Sequence, residues 1–459
     1  MCEDVLNCGK PIYGGIMKDN KTRPRSMERR DFLKVAGIAT VGATIGLGAT
    51  GKVSKVYGKA KRPIKVGMQS ILSGPLAGYG EYQKRGCELA KEHVNASGGI
   101  LGHPIEMNYR DSELNPAIGV KNARYFIQDW GADFIMGTDS SPLAKAVGET
   151  LPELKRIFIA THAATPDLNE VLVYKKKIKY MFRSEQPFYQ DSYAGGLVAA
   201  KLGAKRWFMI GPDEEYGYKN WEMFKNFVGK FSKDVKFVGQ TWVPYGTTDF
   251  TPHLSKAVSA EPDAIFSTEW GGELVSCIKQ AKMMGMFQKI KAWLTGMGAG
   301  MDVLYGLGKE YPEKCWASCR YWFQYPNTKT NHDFVSAFVK KFNRYPHYSS
   351  EGNYSAILMY KAACEKAGTV DDVDKIVSAM EGLAFDSPAG TRWIRPSDHA
   401  CAYSVPWGRI KHDPRYPMPV LTDWVIKPWP FYWPSPPPEY ATPPGPGEYP
   451  EIPYVPYKK

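Results

Sequence analysis

A glycine-rich loop, SGPLAGYGEYQKRG at residues 73–86, follows an apolar run and precedes a helical pattern. Many nucleotide sites begin in this order, but a dinucleotide site needs G-x-G-x-x-G and a phosphate loop needs Gly-Lys-Ser/Thr. Here the glycines run G-x-x-x-G-x-G. The loop instead offers the hydroxyl of Ser73 and the ring of Tyr79 near a helix N-terminus, whose free amides can hold a carboxylate. It therefore predicts a site for a small polar organic ligand rather than a nucleotide.

Short apolar or β-branched runs alternate with helix-period stretches from Lys65 onward. Alternation on this scale predicts parallel sheets with helices on both faces. One series ends and a second begins near residue 183, so the predicted fold class is α/β with two similar lobes. The predicted strands lie at residues 64–72, 105–111, 133–137, 157–161, 207–211, 235–243, 264–268 and 292–296.

The N-terminal segment resembles an export signal. Arg29 and Arg30 precede a mildly apolar run, rich in Gly, Ala and Thr, that ends near Gly51. Twin arginines before such a run are typical of twin-arginine export, and the run is too short and glycine-rich for a membrane span. We expect residues 1–51 to form a leader with its signal at 27–51, the twin-arginine machinery to be a partner, and the mature protein to be periplasmic.

The net charge and the composition of the C-terminal segment indicate which classes of partner to expect. The formal net charge is +12, but the basic residues are dispersed rather than gathered in a stripe with aromatics, so no nucleic-acid partner is expected. Residues 428–459 are rich in Pro and Tyr and cannot hold a helix or a central strand. We interpret them as a polyproline-II tail, with a docking site for a partner as the less favoured alternative.

Six cysteines remain after the leader: Cys87, Cys277, Cys315, Cys319, Cys364 and Cys401. Cys315 and Cys319 stand in the sequence CWASC, but no His or Cys pair with ligand spacing accompanies them. Buried free thiols or one disulfide are therefore expected rather than a zinc site, and no metal or cofactor is predicted.

A resemblance to a known family adds to these observations. Residues 65–116, from KVGMQSILSGPLAGYG to NYRDSELNP, resemble the opening of the periplasmic leucine/isoleucine/valine-binding protein family. Further similar stretches are GTDSSPLA (137–144), IATHAATPDL (159–168), GPDEEYGY (211–218), DFTPHLSKAVSAEPDAIF (249–266) and IRPSDHACAYSVPWGRI (394–410). The resemblance spans roughly residues 62–428.

The resemblance implies the two-lobed type I binding-protein fold, in which three crossovers let the lobes close on a ligand. Lobe 1 would comprise residues 62–183 and 325–400, and lobe 2 residues 184–324 and 401–427. It also implies the non-enzymatic substrate-binding subunit of a branched-chain amino-acid-type ABC importer, whose permease would be a partner in the membrane.

The residues and the resemblance together predict a set of ligand-binding residues: Ser73, Tyr79, Ser140, Ser141, Ala163, Ala164, Thr165, Tyr216, Glu269, Trp270 and Met297. Ser141, Ala163 and Thr165 would hold the carboxylate and ammonium groups. Tyr79, Tyr216 and Trp270 would provide aromatic walls. From the residues alone, helix capping is the favoured role of Ser141 and Thr165, because both precede helical stretches, whereas the resemblance favours ligand contact.

One position departs from the family pattern. Amino-acid binders of this family place an acid just after the strand that AWLTG matches, where this chain has Met297. Either Glu269 supplies the missing charge, or the ligand lacks an ammonium group, as an aromatic carboxylate or an amide would. The acids Asp213, Glu214 and Glu215 are interpreted as a solvated loop beside Tyr216.

Three functions remain at this point. A transport binding protein is favoured, with capture of a branched-chain amino acid or a related small carboxylate or amide. A ligand-sensing protein of the same fold, serving a membrane receptor, is supported only by the aromatic tail. An exported α/β enzyme is disfavoured because the chain has no G-x-S-x-G, no H-E-x-x-H and no phosphate loop.

Overall fold

The computed structural model describes residues 61–74, 76–186, 189–404 and 406–426. The predicted leader, with Arg29 and Arg30, and the predicted tail at 428–459 lie outside these residues. No helix within the described ranges is long and apolar enough to cross a membrane.

The first sheet has five parallel strands in the order β2-β1-β3-β4-β5. Its core strands are almost wholly buried because they are continuous apolar runs, as strands covered on both faces must be. The elements are β1 (Ile64–Ser70), α1 (Ala77–Ala96), β2 (Ile105–Asp111), α2 (Pro116–Arg124) with a π-helical turn (Tyr125–Asp129), β3 (Phe134–Gly137), α3 (Ser141–Leu154), β4 (Ile157–Ala160), a second π-helical segment (Leu168–Lys175) and β5 (Met181–Arg183).

The second sheet has seven strands in the order β15-β14-β10-β9-β8-β6-β7. The five strands from β7 to β10 are parallel. The elements up to β10 are α4 (Tyr189–Leu202), β6 (Arg206–Pro212), α5 (Glu215–Phe231), β7 (Lys236–Val243), α6 (Thr251–Ser259), β8 (Ala264–Ser267), α7 (Gly271–Met283), α8 (Met286–Lys289), β9 (Ala292–Thr295), α9 (Met301–Leu307), a 3-10 turn (Gly308–Glu310) and β10 (Cys315–Ser318).

The chain then returns to the first sheet. Helix α11 packs on α1 so closely that a Cβ on Gly86 would lie 2.0 Å from the carbonyl oxygen of Ser350, so glycine is required there. The returning elements are α10 (Lys329–Phe342), α11 (Tyr348–Ala367), α12 (Val373–Met380) and a small antiparallel sheet of β11 (Ala384–Ser387), β12 (Gly390–Ile394) and β13 (Cys401–Ala402).

The last two strands, β14 (Pro406–Lys411) and β15 (Val420–Ile426), rejoin the second sheet and run antiparallel at its edge. The predicted α/β class and its two-sheet architecture are confirmed. The second sheet is mixed rather than purely parallel, because the chain re-enters it after the last crossover and turns back as a hairpin. The six cysteines from Cys87 to Cys401 are buried, and none of them is in a disulfide among the described residues.

Buried contacts tie the crossovers together. The Arg392 guanidinium pairs with Glu351 and donates to the carbonyl oxygen of Ser184, just after β5. The Tyr403 hydroxyl, just after β13, donates to Glu185. Burial raises the pKa of Glu185 to about 7. The first and third passages between the sheets are therefore joined through one polar cluster.

Candidate ligand-binding cleft

A cleft lies where the carboxyl ends of the strands of the two sheets meet, the usual ligand position in open α/β sheets. Its empty space, including the opening to solvent, is about 280 Å³. Every lining residue follows the end of a strand, from β3 and β4 in the first sheet and from β6 to β10 in the second. The lining residues are Asp139, Ser141, His162, Ala164, Glu214, Tyr216, Tyr245, Trp270, Met297 and Arg320.

The cleft contains part of the set predicted from the sequence. Ser141, Ala164, Tyr216, Trp270 and Met297 line it, whereas Ser73, Tyr79, Ser140, Ala163, Thr165 and Glu269 do not. Ser73 is exposed, so the loop that first indicated a ligand site carries no cleft-lining hydroxyl.

Tyr79 is buried behind the cleft wall. Its hydroxyl bonds Nδ1 of His162, and its ring meets Trp270 edge-on with centroids 5.2 Å apart. Since His162 follows β4 and Trp270 follows β8, Tyr79 links walls built by different sheets. Its contacts give it a positioning role, with His162 rather than Tyr79 at the cleft surface.

The two serines at the start of α3 divide the roles that the sequence left open. The Ser140 side chain caps the helix by accepting from the backbone N–H of Leu143 at 3.4 Å. Ser141 lies at the first helical position and lines the cleft. Its hydroxyl therefore lies beside the positive end of the α3 dipole, which favours an anionic group.

The loop after β4 is held from beneath by the buried Arg183. Its Nη1 donates to the carbonyl oxygen of Thr165 at 3.1 Å, and Nη2 donates to that of Ala163. The Thr165 hydroxyl is engaged elsewhere, because it donates to Oε1 of Glu215 at 2.6 Å. Ala163 and Thr165 are thus fixed by protein contacts, and Ala164 between them reaches the cleft.

Glu269, the predicted substitute for the missing acid, is fully buried and does not line the cleft. Both of its carboxylate oxygens lack hydrogen-bond partners among the described residues. Burial, reinforced by the charges of Glu273 and Glu214, raises the pKa of Glu269 well above its ordinary value. A carboxyl group that lies behind the wall, in surroundings that disfavour its charged form, is poorly suited to pair with a ligand ammonium group.

Five lining residues were not selected from the sequence: Asp139, His162, Glu214, Tyr245 and Arg320. Three lie inside the stretches that carried the resemblance, in TDSS, HAAT and DEEYG. The interpretation of those acids as a solvated loop was wrong for Glu214, which lines the cleft and has a buried Oε2. Arg320 directly follows the strand within CWASC, and a lone charge after an apolar run was the only available signal.

Arg320 is the cationic group of the cleft. Its side chain is 2% exposed, and its Nη1 donates to the carbonyl oxygen of His162. Among the described residues, no carboxylate forms an ion pair with Arg320. Burial lowers the pKa of Arg320, but Glu185 and nearby tyrosines outweigh that effect and hold the pKa above its ordinary value. The guanidinium therefore stays protonated.

Two further groups shape the first-sheet wall. Burial and the charge of Arg320 lower the pKa of His162 well below its ordinary value, so the ring is neutral. Asp139 accepts from Ser70, Ser112, Gln83 and the backbone N–H of Ile71. With four donors on two oxygens, Asp139 organises the loops at the strand ends and has little capacity left for a ligand.

Burial raises the pKa of Glu214 to about 7, against the hydrogen bond from Tyr245 that lowers it. The folded protein holds this proton more tightly than the unfolded chain. The contribution of Glu214 to the free energy of unfolding is therefore fully present below about pH 4.5 and is lost as the pH rises towards 7. We expect the melting temperature of Glu214→Gln to fall less steeply than that of the wild type between pH 5 and 7. Equal slopes in a thermal-melt series would contradict the shifted pKa.

Four charged groups cross the rim of the cleft between the two sheets. Lys145 on α3 contacts Asp167 and Glu215, both at 3.1 Å. Lys219 on α5 contacts the same two carboxylates. We call Lys145, Asp167, Glu215 and Lys219 the rim network. Because Lys145 and Asp167 belong to the first sheet's half and Glu215 and Lys219 to the second's, the rim network holds the two halves together.

Comparisons with known proteins agree with this architecture. A family model described as periplasmic binding protein matches residues 63–413. The chain belongs to the periplasmic binding protein family. Among the curated proteins that it matches are several named Leu/Ile/Val-binding proteins.

The relatives are distant but nearly full-length. A leucine-, isoleucine-, valine-, threonine- and alanine-binding protein of Pseudomonas aeruginosa is 24% identical and covers 73% of this chain and 86% of its own length. A Leu/Ile/Val-binding protein homolog of Brucella abortus is 27% identical, covering 82% and 92%.

Solved structures show the same fold. A solute-binding protein from Rhodopseudomonas palustris in complex with 3,4-dihydroxybenzoic acid has a TM-score of 0.72 at 23% identity, covering 80% of this chain and 97% of its own. A leucine-binding protein from Thermotoga maritima has a TM-score of 0.69 at 20% identity, covering 79% and 98%.

Proposed function

We propose that this chain captures a small organic carboxylate in the cleft and delivers it to an ABC importer. The observation that carries the proposal is Arg320, a buried guanidinium that lines the cleft without a carboxylate partner in the described part of the chain. A charge taken out of water without a partner is costly, and a ligand carboxylate would offset that cost with two parallel N–H···O bonds.

The neighbours of Arg320 favour the same end of a ligand. Ser141 offers a hydroxyl at the N-terminus of α3, and His162 offers a neutral imidazole. The remaining wall is aromatic or apolar, from Tyr216, Trp270 and Met297. A planar or branched apolar body would lie against these side chains, as in most small-molecule sites.

The ligands of two similar proteins are consistent with binding of a carboxylate in the cleft. One similar structure holds 3,4-dihydroxybenzoic acid, and another relative is described as a leucine-binding protein. Both ligands carry a carboxylate on a compact apolar body. Since Met297 stands where amino-acid binders of this family have an acid, aromatic and branched carboxylates without an ammonium group are the first candidates.

A matched ligand panel tests the function. We expect carboxylates such as benzoate and 4-methylpentanoate to raise the melting temperature by mass action, and the corresponding primary amides to bind at least about tenfold more weakly, since they lack the charge. Calorimetry would confirm the ranking. Amides that bind as tightly as their acids would refute recognition through Arg320.

The rim network supports a hinged closure of the two lobes on the ligand. Two of the four ion pairs, Lys145–Glu215 and Lys219–Asp167, join the two halves. Exposed ion pairs contribute about 0.2–1 kcal/mol each, so these two together contribute about 0.4–2 kcal/mol to closure. We expect the double variant Lys145→Met/Lys219→Met to bind about 2- to 30-fold more weakly, mainly through faster dissociation measured by stopped flow.

Lys225→Met is the matched control for the rim network, because Lys225 pairs with Glu222 on the same helix α5 and does not cross the cleft. It should leave the dissociation rate unchanged. An unaltered rate in the double variant, or equal acceleration in the control, would show that the rim network does not hold the closed state.

Export completes the proposed role. The twin-arginine pattern at Arg29 and Arg30 supports delivery of the folded protein to the periplasm, where a membrane permease would receive the ligand. The sensing and enzymatic alternatives gain no specific observation from the cleft, whose lining contains no cysteine and one serine, Ser141. Transport is therefore the function we propose.

A further inference from the structure

Glu214 occupies the N-cap position of α5, and its side chain makes no capping bond to the helix. Instead Oε1 accepts from the Tyr245 hydroxyl at 2.8 Å, and both residues line the cleft.

The second oxygen of Glu214 is unused. Oε2 is buried and has no hydrogen-bond partner among the described residues. No lysine or arginine of the described chain forms an ion pair with Glu214, and its charged neighbours Glu215 and Glu269 are also acids. A buried acceptor without a hydrogen bond costs free energy, and a hydrogen bond from a ligand donor would offset that cost.

The other acids near the cleft cannot take this role. Asp139 already accepts from four donors. Glu269 lies behind the wall, and Met297 has no polar atom to offer. Of the two carboxyl groups that line the cleft, only Glu214 has an oxygen without a hydrogen-bond partner among the described residues.

We propose that Glu214, oriented by Tyr245, receives a hydrogen-bond donor on the ligand, so that the substrates are carboxylates bearing a second O–H or N–H group. This inference rests on the proposed capture of carboxylates. Arg320 binds the ligand carboxylate, and Glu214 accepts a hydrogen bond from the second O–H or N–H group. Glu214 thereby determines specificity within the cleft, in place of the acid that the chain lacks at Met297.

Two matched ligand pairs test the inference: benzoate with 4-hydroxybenzoate, and 4-methylpentanoate with leucine. Each pair differs by one donor group, a hydroxyl in the first and an ammonium in the second. We expect calorimetry on the wild type to show at least a tenfold preference for the donor-bearing member of one pair. Glu214→Leu should abolish that preference, and its circular dichroism spectrum and cooperative thermal melt should show that the variant is folded.

Glu214→Gln separates the two sources of the donor. An amide oxygen still accepts from a hydroxyl, so a preference for 4-hydroxybenzoate should largely survive. A preference for leucine should be lost, because the ammonium group needs the charge. Glu222→Gln, on the exposed face of the same helix, is the control and should change neither.

The inference is overturned if the wild type binds both members of each pair equally, or if Glu214→Leu keeps the preference. In either case tight binding of the simple carboxylates would leave the proposed function standing. Failure of every carboxylate to bind, with amides or other ligands bound instead, would refute the proposed function itself and the inference with it.

Discussion

We expect that replacing Arg320 with methionine lowers the affinity for every carboxylate ligand by about 30-fold or more. Truncating one partner of a buried, charge-assisted pair costs about 2–5 kcal/mol, because the other charge is left desolvated without compensation. Ligand binding at Arg320 meets this condition, since its side chain is 2% exposed and no carboxylate of the described residues neutralises it.

Calorimetry on Arg320→Met and Arg320→Lys measures this effect. Lysine keeps the charge but not the planar fork, so we expect an intermediate loss of about tenfold. Primary amides of the same acids serve as internal controls, because they never paired with the charge and should bind either protein with similar affinity. Wild-type affinity of Arg320→Met for the acids would show that the carboxylate binds elsewhere.

The sequence predicted the strands that position this site more closely than it predicted the site. Eight predicted strands lie within about two residues of β1 to β4 and β6 to β9, because buried parallel strands are continuous apolar runs. Strand β5 has only three residues, and β10 is the CWAS of CWASC, so neither gave a periodic signal.

The cleft was predicted where a motif follows a recognised strand. Ser141, Tyr216 and Trp270 were selected in this way and line the cleft. Arg320 follows the strand that was not recognised, so nothing placed it beside the others. Glu214 was recognised as an acid beside Tyr216, but its hydrogen bond is to Tyr245, which follows a different strand and is brought near only by the fold.

Breaking the buried ion pair between Glu351 and Arg392 destabilises the fold by about 3–5 kcal/mol. Both side chains are fully buried, and removal of one partner leaves the other charge in a low-dielectric environment. Glu351 also accepts from Ser355 at 2.6 Å and from the backbone N–H of Ala389 at 3.2 Å. Urea denaturation of Glu351→Met, with the midpoint multiplied by the slope, measures the loss in the free energy of unfolding.

The double variant Glu351→Met/Arg392→Met distinguishes the charge from the packing. Apolar side chains of similar size remove both buried charges, so the double variant should be more stable than Glu351→Met alone. The control is Asp423→Asn, which breaks the exposed pair with Arg409 and should cost less than about 1 kcal/mol. A loss in the double variant equal to the sum of the losses in Glu351→Met and Arg392→Met would show that the two residues are not energetically coupled.

The same pair connects stability to ligand capture through the crossovers. Arg392 also donates to the carbonyl oxygen of Ser184, at the first passage between the sheets, and its ring neighbour Tyr403 donates to Glu185 at the same passage. The double variant Glu351→Met/Arg392→Met has no unpaired buried charge at these two positions, but it still lacks the hydrogen bond from Arg392 to Ser184. It should therefore recover the free energy of unfolding without recovering wild-type ligand affinity, because closure on the ligand depends on crossovers held in one geometry. Full recovery of both would assign the pair to stability alone.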